Sequence, residues 1–251
     1  MTSTKRPSSA FVLAAGKGER MRPLTATRPK PLITADGKPL IDHVLDRLAD
    51  AGITQAIVNV HYFADQIENH LAGRRSPKII ISDERNALLD TGGGVARALP
   101  KLGRDPFLIH NSDSIWIEGM GSNLDRLIRT WDDGEMDGLL LMASVAMSTG
   151  YDGPGDFNMD AAGRLTRQSG ARLAPFVFTG VSIAHPRLFD GAPKGPFSLN
   201  KVWNKAIESG RLFGVRLEGI WMHVGTPEAI DEAEKAISES TTAGSALPGA
   251  D

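Results

Sequence analysis

Short apolar runs alternate with amphipathic runs along the first half of the chain. Residues 10–14 (AFVLA) are apolar throughout and are followed at once by turn residues, which is typical of a buried strand. In residues 40–51 the apolar side chains recur every three or four positions, as in a helix, and Gly52 follows at a usual stop position. The same alternation predicts strands at 55–60, 78–82 and 106–110 and helices at 64–71 and 94–99. Repeated strand–helix–strand units favour a mostly parallel sheet with helices on both faces.

Beyond Gly134 the pattern is dominated by shorter elements and turns. Residues 156–160 and 164–168 predict a hairpin around Ala162-Gly163. Further strands are predicted at 139–146, 176–184, 213–217 and 220–224, with helices at 197–209 and 227–238. We therefore expect an α/β, Rossmann-like domain over residues 1–239 with a small additional lobe. Residues 240–251 lack large apolar side chains apart from one leucine, and we expect a disordered tail there.

Composition narrows the functional classes. The 251 residues contain no cysteine, which excludes disulfides, thiolate metal sites and a cysteine nucleophile. With 28 basic and 30 acidic residues, the chain has no overall basic field, so nucleic acid and anionic membranes are not expected partners. Lys5-Arg6 and the apolar run after it resemble the start of a signal peptide, but the run stops at Gly16 and is too short. The apolar stretch 139–147 is about half of a membrane span, so we expect a cytoplasmic protein.

The first predicted strand leads into a glycine-rich, basic loop, residues 13–25 (LAAGKGERMRPLT). In doubly wound sheets, ligands bind beyond the carboxyl ends of the strands, where this loop would lie. Gly16 and Gly18 allow close backbone approach and leave N–H groups free for an anion. Lys17, Arg20 and Arg22 add positive charge. These features indicate a phosphate site, although a glycine turn with solvated charges would share some of them.

Two common phosphate-binding patterns are absent. The dinucleotide fingerprint requires a glycine or alanine where this chain has Met21, and no Walker pattern occurs. A separate cation, Lys30, lies between Pro29 and Pro31, and the two prolines restrict the backbone on either side of it. The predicted site is therefore a phosphate loop of another kind, supplemented by a rigidly held lysine.

The loop resembles the signature of the sugar-1-phosphate nucleotidyltransferases. The resemblance continues, in the family's order, through RPKPL at 28–32, DTGGG at 90–94, NSD at 111–113, FTG at 178–180 and WMHVGT at 221–226. It spans about residues 10–238 and implies the fold of nucleotide-diphospho-sugar transferases. It also implies Mg²⁺-dependent formation of an NDP-sugar and pyrophosphate from an NTP and a sugar 1-phosphate, which would be the protein's small-molecule partners.

The resemblance also implies residue roles. In this reaction the sugar phosphate is already an anion, so the protein positions reactants and neutralises charge without a general base. Arg20 would contact the leaving pyrophosphate, Lys30 the α-phosphate or the sugar phosphate, and Asp113 the metal. Implied nucleotide-binding residues are Ala14, Ala15, Gly16, Lys17, Gly18, Glu19, Arg20, Lys30, Thr91, Gly92, Gly93 and Asn111. Implied sugar-phosphate-binding residues are Asp156, Asn158, Thr179 and Gly180.

The second metal position departs from the family pattern. The family has an aspartate before the Val-Gly-Thr step, whereas this chain has His223. A neutral imidazole is a poor ligand for Mg²⁺ and a better one for Mn²⁺. His223 could bind the metal directly, act through water, contact only phosphate, or be a packed side chain.

The glycine run at 92–94 has two interpretations. Its bare backbone could form a surface on which a base lies, or Asp90 and Thr91 could simply begin a helix. Three consecutive glycines are entropically unfavourable in a mere cap, so we expect the base pocket. We also expect the 148–155 loop to close over the sugar, and Trp116, Trp131 and Trp203 to be core or helix-face residues rather than stacking platforms.

Substrate identity rests on resemblance alone. The short chain and the GDF step at 155–157 most resemble the uridylyltransferases of N-acetylmuramate 1-phosphate, which act in cell-wall recycling. Mannose-1-phosphate guanylyltransferases share nearly all the motifs and remain the alternative. A cytidylyltransferase and a non-catalytic nucleotide-sugar-binding regulator are further alternatives. The sequence predicts no oligomeric state.

Overall fold

A computed structural model of the protein describes residues 5–168 and 173–245. The first seven strands are β1 (Ser9–Leu13), β2 (Thr34–Ala35), β3 (Lys38–Pro39), β4 (Gln55–Val60), β5 (Lys78–Asp83), β6 (Phe107–Asn111) and β7 (Ser114–Glu118). The others are β8 (Gly138–Ser144), β9 (Ser148–Thr149), β10 (Phe157–Met159), β11 (Leu165–Arg167), β12 (Phe176–Ala184), β13 (Leu212–Arg216) and β14 (Gly219–His223). The helices are α1 (Leu40–Asp50), α2 (Ala64–Leu71), α3 (Asp90–Leu102), α4 (Asn123–Thr130), α5 (Asn200–Glu208) and α6 (Pro227–Ser245).

The central sheet is mixed and mostly parallel. Among the described residues, nine strands form it. Seven follow the order β11-β10-β12-β6-β1-β4-β5, while β8 also pairs with β12, and β13 pairs with β8. Strands β6, β1, β4 and β5 are parallel to one another, and β12 runs antiparallel to both β6 and β8. The predicted α/β, Rossmann-like architecture is therefore confirmed.

A bulge divides strand β12 at residues 179–180. The pairing of β12 with β8 shifts register between Phe178 and Ser182, and Gly180 has a φ of +90°. A side chain at Gly180 would overlap that of Asn111, since an added Cβ would lie 2.7 Å from its Nδ2. The bulge thus brings the β12 backbone against the end of β6, where the site lies.

A second sheet consists of β7, β14 and β9, with β14 central. It continues the chain directly after β6, because only Ser112 and Asp113 separate β6 from β7. In the antiparallel ladder, Ser114 of β7 is opposite His223 of β14. This register places the residues just before β7 beside the carboxyl end of β14.

Apolar clusters cover both faces of the central sheet. One contains α1, α2 and α4 side chains, and the other contains α3 and α5 side chains. Trp116, Trp131 and Trp203 are buried in these clusters, as predicted. Among residues 5–168 and 173–245, no helix combines the length and apolar character needed to cross a bilayer.

Several predicted boundaries were wrong. Helix α3 begins at Asp90 rather than at 94, so the glycine run lies inside its first two turns. Helix α6 continues to Ser245, so residues 240–245 are helical and not a disordered tail, and residues 246–251 lie outside the described part. Residues 239–243 (ESTTA) contain no helix breaker, which allows this extension. Strand β7 and helix α4 were not predicted.

Candidate active site

A cavity of about 650 Å³ opens at the carboxyl ends of β1, β4 and β6. The glycine-rich loop forms one wall, the start of α3 another, and the segment after β6 the floor. The lining residues are Leu13, Ala14, Ala15, Gly16, Lys17, Gly18, Glu19, Arg20, Met21, Lys30, Pro31, Asn59, Leu88, Asp90, Thr91, Asn111, Ser112, Asp113 and Gly225. Most of the residues implied to bind nucleotide are in this set.

The glycine-rich loop is held by internal contacts around Gly18. Gly18 has a φ of +63°, and an added Cβ would lie 3.0 Å from the Thr25 side chain and 3.1 Å from Cβ of Lys30. Its carbonyl accepts hydrogen bonds from the Thr25 hydroxyl at 2.8 Å and from the Met21 N–H at 2.9 Å. Glycine at position 18 is therefore required both by conformation and by space. Gly16 and Lys17 are exposed at the tip of the loop.

Lys30 lies at the start of a short 3-10 helix that Pro29 precedes and Pro31 continues. Its side chain is 12% exposed, and its Nζ lies 2.5 Å from Oδ2 of Asp113. Asp113 follows β6 and its side chain is 30% exposed. A largely buried ammonium and a more exposed carboxylate thus face each other across the floor of the cavity.

His223 lies next to this ion pair. It ends β14, directly opposite Ser114, so the ladder brings it alongside Asp113. Burial, Lys30 and Arg20 all lower the pKa of His223, while Asp113 acts in the opposite direction. The imidazole is therefore neutral near pH 7. Within the part of the chain that the structure describes, neither ring nitrogen of His223 makes a hydrogen bond.

A second cavity, of about 240 Å³, adjoins the first. Arg20, Asn111 and Asp113 line both cavities, so these three residues form their common wall. Arg20 is exposed and makes no ion pair with any described residue. The other lining residues are Ser114, Tyr151, Asp156, Val177, Phe178, Thr179, Gly180, Trp221, Met222, His223 and Val224.

Three of the four residues implied to bind sugar phosphate line this second cavity. Asp156 accepts a hydrogen bond from the Phe178 N–H at 2.8 Å, and Thr179 donates its hydroxyl to the Leu141 carbonyl at 2.9 Å. Both side chains therefore also hold the β12 bulge. The fourth residue, Asn158, lines neither cavity, because its amide donates to Gln168 across the β10–β11 hairpin at 2.7 Å.

The glycine run does not form a wall of the larger cavity. The N–H groups of Gly92 and Gly93 both donate to the carbonyl of Phe197, at 2.8 and 3.0 Å. An added Cβ would lie 2.4 Å from the Phe197 ring at Gly92, and 2.4 Å from the Gly195 carbonyl at Gly93. These two glycines allow the 195–197 segment to pack on α3, whereas Asp90 and Thr91 do line the cavity.

Several lining residues were not singled out as site residues from the sequence. Asn59, a polar residue near the end of the buried strand β4, was a detectable signal because polar side chains at that sheet edge face the ligand position. Tyr151 and Trp221 line the second cavity, and their rings are 5.9 Å apart. Leu88 was hidden in a loop without periodicity.

Comparisons with known proteins identify the family of the chain. The model of the nucleotidyl transferase family matches residues 9–152. An N-acetylmuramate alpha-1-phosphate uridylyltransferase of Caulobacter vibrioides is 46% identical over 94% of this chain and 100% of its own. A protein of the same name from Neisseria meningitidis is 35% identical over 90% of this chain and 96% of its own. A mannose-1-phosphate guanyltransferase beta-B of Xenopus laevis is more distant, at 28% identity over 87% of this chain and 61% of its own.

Solved structures share the fold. A UDP-glucose pyrophosphorylase superposes with a TM-score of 0.75 at 15% identity, covering 94% of this chain and 99% of its own. An inositol-1-phosphate CTP transferase of T. maritima superposes with a TM-score of 0.74 at 18% identity, over 94% of this chain and 98% of its own. The family match, the curated relatives and the cavity geometry agree: the chain belongs to the nucleotidyl transferase family.

Proposed function

We propose that this chain transfers a uridylyl group from UTP to N-acetylmuramate 1-phosphate, forming UDP-N-acetylmuramate and pyrophosphate. The observation that carries the proposal is the common wall of the two cavities, where Arg20, Asn111 and Asp113 converge. A two-substrate transfer needs the two phosphates to meet at one point, and this wall supplies such a point. The names of the relatives from Caulobacter and Neisseria supply the choice of substrates.

The larger cavity would take UTP and the smaller one the sugar phosphate. The glycine-rich loop, with Lys17 and Arg20, offers N–H groups and positive charge to a triphosphate. The smaller cavity has aromatic walls at Tyr151 and Trp221, which suit the apolar face of a sugar ring, and it opens toward Arg20. A phosphate oxygen of the sugar would attack the α-phosphorus in line with the departing pyrophosphate.

Arg20 and Lys30 would neutralise the charge that develops in this transfer. Arg20 is exposed and has no carboxylate partner among the described residues, so it is available to the pyrophosphate. Lys30 is held by the 3-10 helix and by packing against Gly18, so its ammonium is already positioned. Pre-positioned cations stabilise a charged transition state without reorganisation.

The donor set suits a divalent cation that takes most of its ligands from substrate. In the described part of the chain, no cluster of three or more His, Asp or Glu side chains could bind a metal by itself. Asp113 offers a hard oxygen, and the neutral His223 beside it offers a nitrogen. Mg²⁺ commonly binds through one or two protein groups together with phosphate oxygens and water. When bound, the cation would align the triphosphate and reduce its charge.

The Lys30–Asp113 ion pair would open when substrate binds. In the free protein the two groups neutralise each other at 2.5 Å. With the metal-bound triphosphate present, Lys30 would contact the phosphate and Asp113 would bind the cation. Opposite charges that are paired in advance lower the cost of keeping both groups poorly hydrated between turnovers.

The relatives support the choice of base, and the substrates support a choice of cell compartment. No side chain in the larger cavity separates uracil from guanine by its chemistry, and the guanyltransferase relative is the more distant one. N-acetylmuramate is a cell-wall sugar, which places the reaction in wall recycling. Since UTP is the nucleotide donor, we propose that the enzyme acts in the cytoplasm.

The test is a turnover panel. The five common NTPs are each combined with the 1-phosphates of N-acetylmuramate, mannose and glucose, with Mg²⁺ and again with Mn²⁺, and pyrophosphate release is measured. We expect UTP with N-acetylmuramate 1-phosphate to be the fastest pair. A preference for GTP with mannose 1-phosphate would replace the proposal with the guanylyl alternative. Absence of pyrophosphate release from every pair, with nucleotide still bound, would indicate a nucleotide-sugar-binding regulator.

A further inference from the structure

Two buried polar side chains connect the walls of the larger cavity. Asn59 is 2% exposed and Glu84 is fully buried. The Asn59 Oδ1 accepts hydrogen bonds from the N–H groups of Ala14, at 2.7 Å, and Ala15, at 3.3 Å. Its Nδ2 donates to Oε1 of Glu84 at 2.9 Å, and Oε2 of Glu84 accepts from the Leu89 N–H at 3.1 Å. A continuous chain of hydrogen bonds thus runs from the glycine-rich loop to the start of helix α3.

The direction of every bond in this chain is fixed. Backbone N–H groups can only donate, so Oδ1 of Asn59 must face Ala14 and Ala15, and Nδ2 must face Glu84. Both carboxyl oxygens of Glu84 accept a hydrogen bond, Oε1 from Asn59 and Oε2 from the Leu89 N–H. Among the described residues Glu84 makes no ion pair, so only N–H donors contact its carboxyl oxygens.

Stability alone does not account for this arrangement. A fully buried carboxylate without a cation stabilises a fold less than a packed apolar side chain of similar size. Helix α3 is also adapted to the pair, because an added Cβ at Gly94 would lie 2.8 Å from Oε1 of Glu84 and 3.1 Å from Nδ2 of Asn59. The absence of a side chain at Gly94 thus leaves the space that the Asn59 and Glu84 side chains occupy.

We propose that Asn59 and Glu84 are positioning residues that set the distance between the glycine-rich loop and the wall at residues 88–91. They do so through the backbone of Ala14, Ala15 and Leu89, which flank the cavity, and so they determine the affinity for the nucleotide. The inference rests on the proposed function only in naming that nucleotide as UTP. We call this hydrogen-bond chain the Asn59–Glu84 relay.

Reversing the polarity of the relay provides a sharp test. Asn59→Asp keeps the acceptor for the loop but sets a carboxylate against Glu84, whereas Glu84→Gln turns one accepting oxygen into a donor that faces another donor. In the double variant, the new carboxylate at position 59 accepts from the new amide at position 84, whose oxygen still accepts from Leu89. Each single variant therefore breaks one bond, and the double variant restores the whole chain with opposite polarity.

The readouts are nucleotide affinity and amide hydrogen exchange at Ala14 and Ala15. We expect each single variant to weaken Mg²⁺–UTP binding about tenfold, which corresponds to the loss of one buried hydrogen bond. The KM for the sugar phosphate should stay unchanged, the two amides should exchange faster, and the double variant should recover both properties. Equilibrium binding and exchange are measured below the unfolding transition of every variant.

Asn123→Asp is the matched control. Asn123 is 1% exposed and donates to the exposed Glu118 carboxyl group at 2.5 Å, and neither residue of this Asn–Glu pair lines either cavity. It should lose stability as Asn59→Asp does, but leave UTP affinity and loop exchange unchanged. If the control shifts UTP affinity as much as the relay variants do, the shift reflects lost stability, and the proposed positioning role of the relay is overturned.

Two further outcomes distinguish a failure of the relay proposal from a failure of the proposed function. Unchanged UTP affinity or unchanged amide exchange of the loop in the single variants would overturn the positioning role of the relay, even if the wild type turns over UTP. If the wild type does not turn over UTP, the proposed function fails. In that case amide exchange of the loop alone tests the role of the relay. Faster exchange in the single variants with recovery in the double variant would support that role, and any other result would overturn it.

Discussion

Lys30 and Asp113 are 83 positions apart in the chain, yet Nζ of Lys30 lies 2.5 Å from Oδ2 of Asp113. The contact joins a rigid turn after the glycine-rich loop to the segment between β6 and β7. It also lies where the two cavities meet, beside Arg20 and His223. The cation and the carboxylate that the proposed reaction requires are therefore assembled by the fold before any substrate binds.

Removal of the Lys30 charge should reduce kcat more strongly than it reduces the stability of the fold. We expect Lys30→Met to lower kcat about 10²–10³-fold, the range found when one preorganised charge-stabilising donor is removed. Pyrophosphate release measures the effect. Lys5→Met, which breaks an exposed ion pair with Asp105, is the control and should keep full activity. Equal activity of Lys30→Met and the control would exclude a role for Lys30 in the transfer.

His223→Asp tests the unusual residue beside Asp113. If His223 occupies a metal-ligand position, a carboxylate there supplies a harder ligand, and Mg²⁺-supported turnover should be retained or rise. The ratio of Mg²⁺- to Mn²⁺-supported rates should also increase, because the replaced imidazole favours the softer ion. Both rates are measured over a metal titration. A folded variant without activity in either metal would show that His223 does not hold such a position.

A substitution in the glycine run distinguishes two roles for Gly92, packing of the protein interior and contact with the base. Gly92→Ala should destabilise the protein by about 1–3 kcal/mol, because the new methyl group would overlap the Phe197 ring. Gly73→Ala is the control, since nothing lies within 4 Å of an added Cβ there and stability should be unchanged or slightly higher. Denaturant unfolding measures both. If Gly92→Ala instead keeps its stability and loses UTP affinity, the glycine contacts the base.

Stability should depend on the buried ring of His110 under mild acid. Burial lowers the pKa of His110 to about 4 from the ordinary 6.5, so between these values the unfolded chain takes up a proton that the folded protein does not. Stability should therefore fall as the pH drops from 6.5 toward 4, by at most about 3 kcal/mol from this group, and should not change through it above 6.5. His110→Asn should make the slope of unfolding free energy against pH shallower. An identical slope in both proteins would contradict the assignment.

The alternation of apolar runs was sufficient to predict the sheet and the position of its glycine-rich loop. Strand β7 was not predicted, because it belongs to the second sheet and follows β6 after only two residues. The packing of Gly92 and Gly93 against residues 195–197 was not predicted, because these partners lie about a hundred positions away in the chain. Asn158 was assigned to the sugar side by its motif, but its hydrogen bond to Gln168 holds it in the hairpin. Local pattern predicts elements, whereas contacts between distant segments are decided by packing.

The most direct test is a crystal structure of the protein with Mg²⁺ and a non-hydrolysable UTP analogue. We expect the triphosphate in the glycine-rich loop, the cation on Asp113, and Lys30 moved from Asp113 to the α-phosphate. A triphosphate bound elsewhere, with the Lys30–Asp113 contact still at its present 2.5 Å, would contradict it.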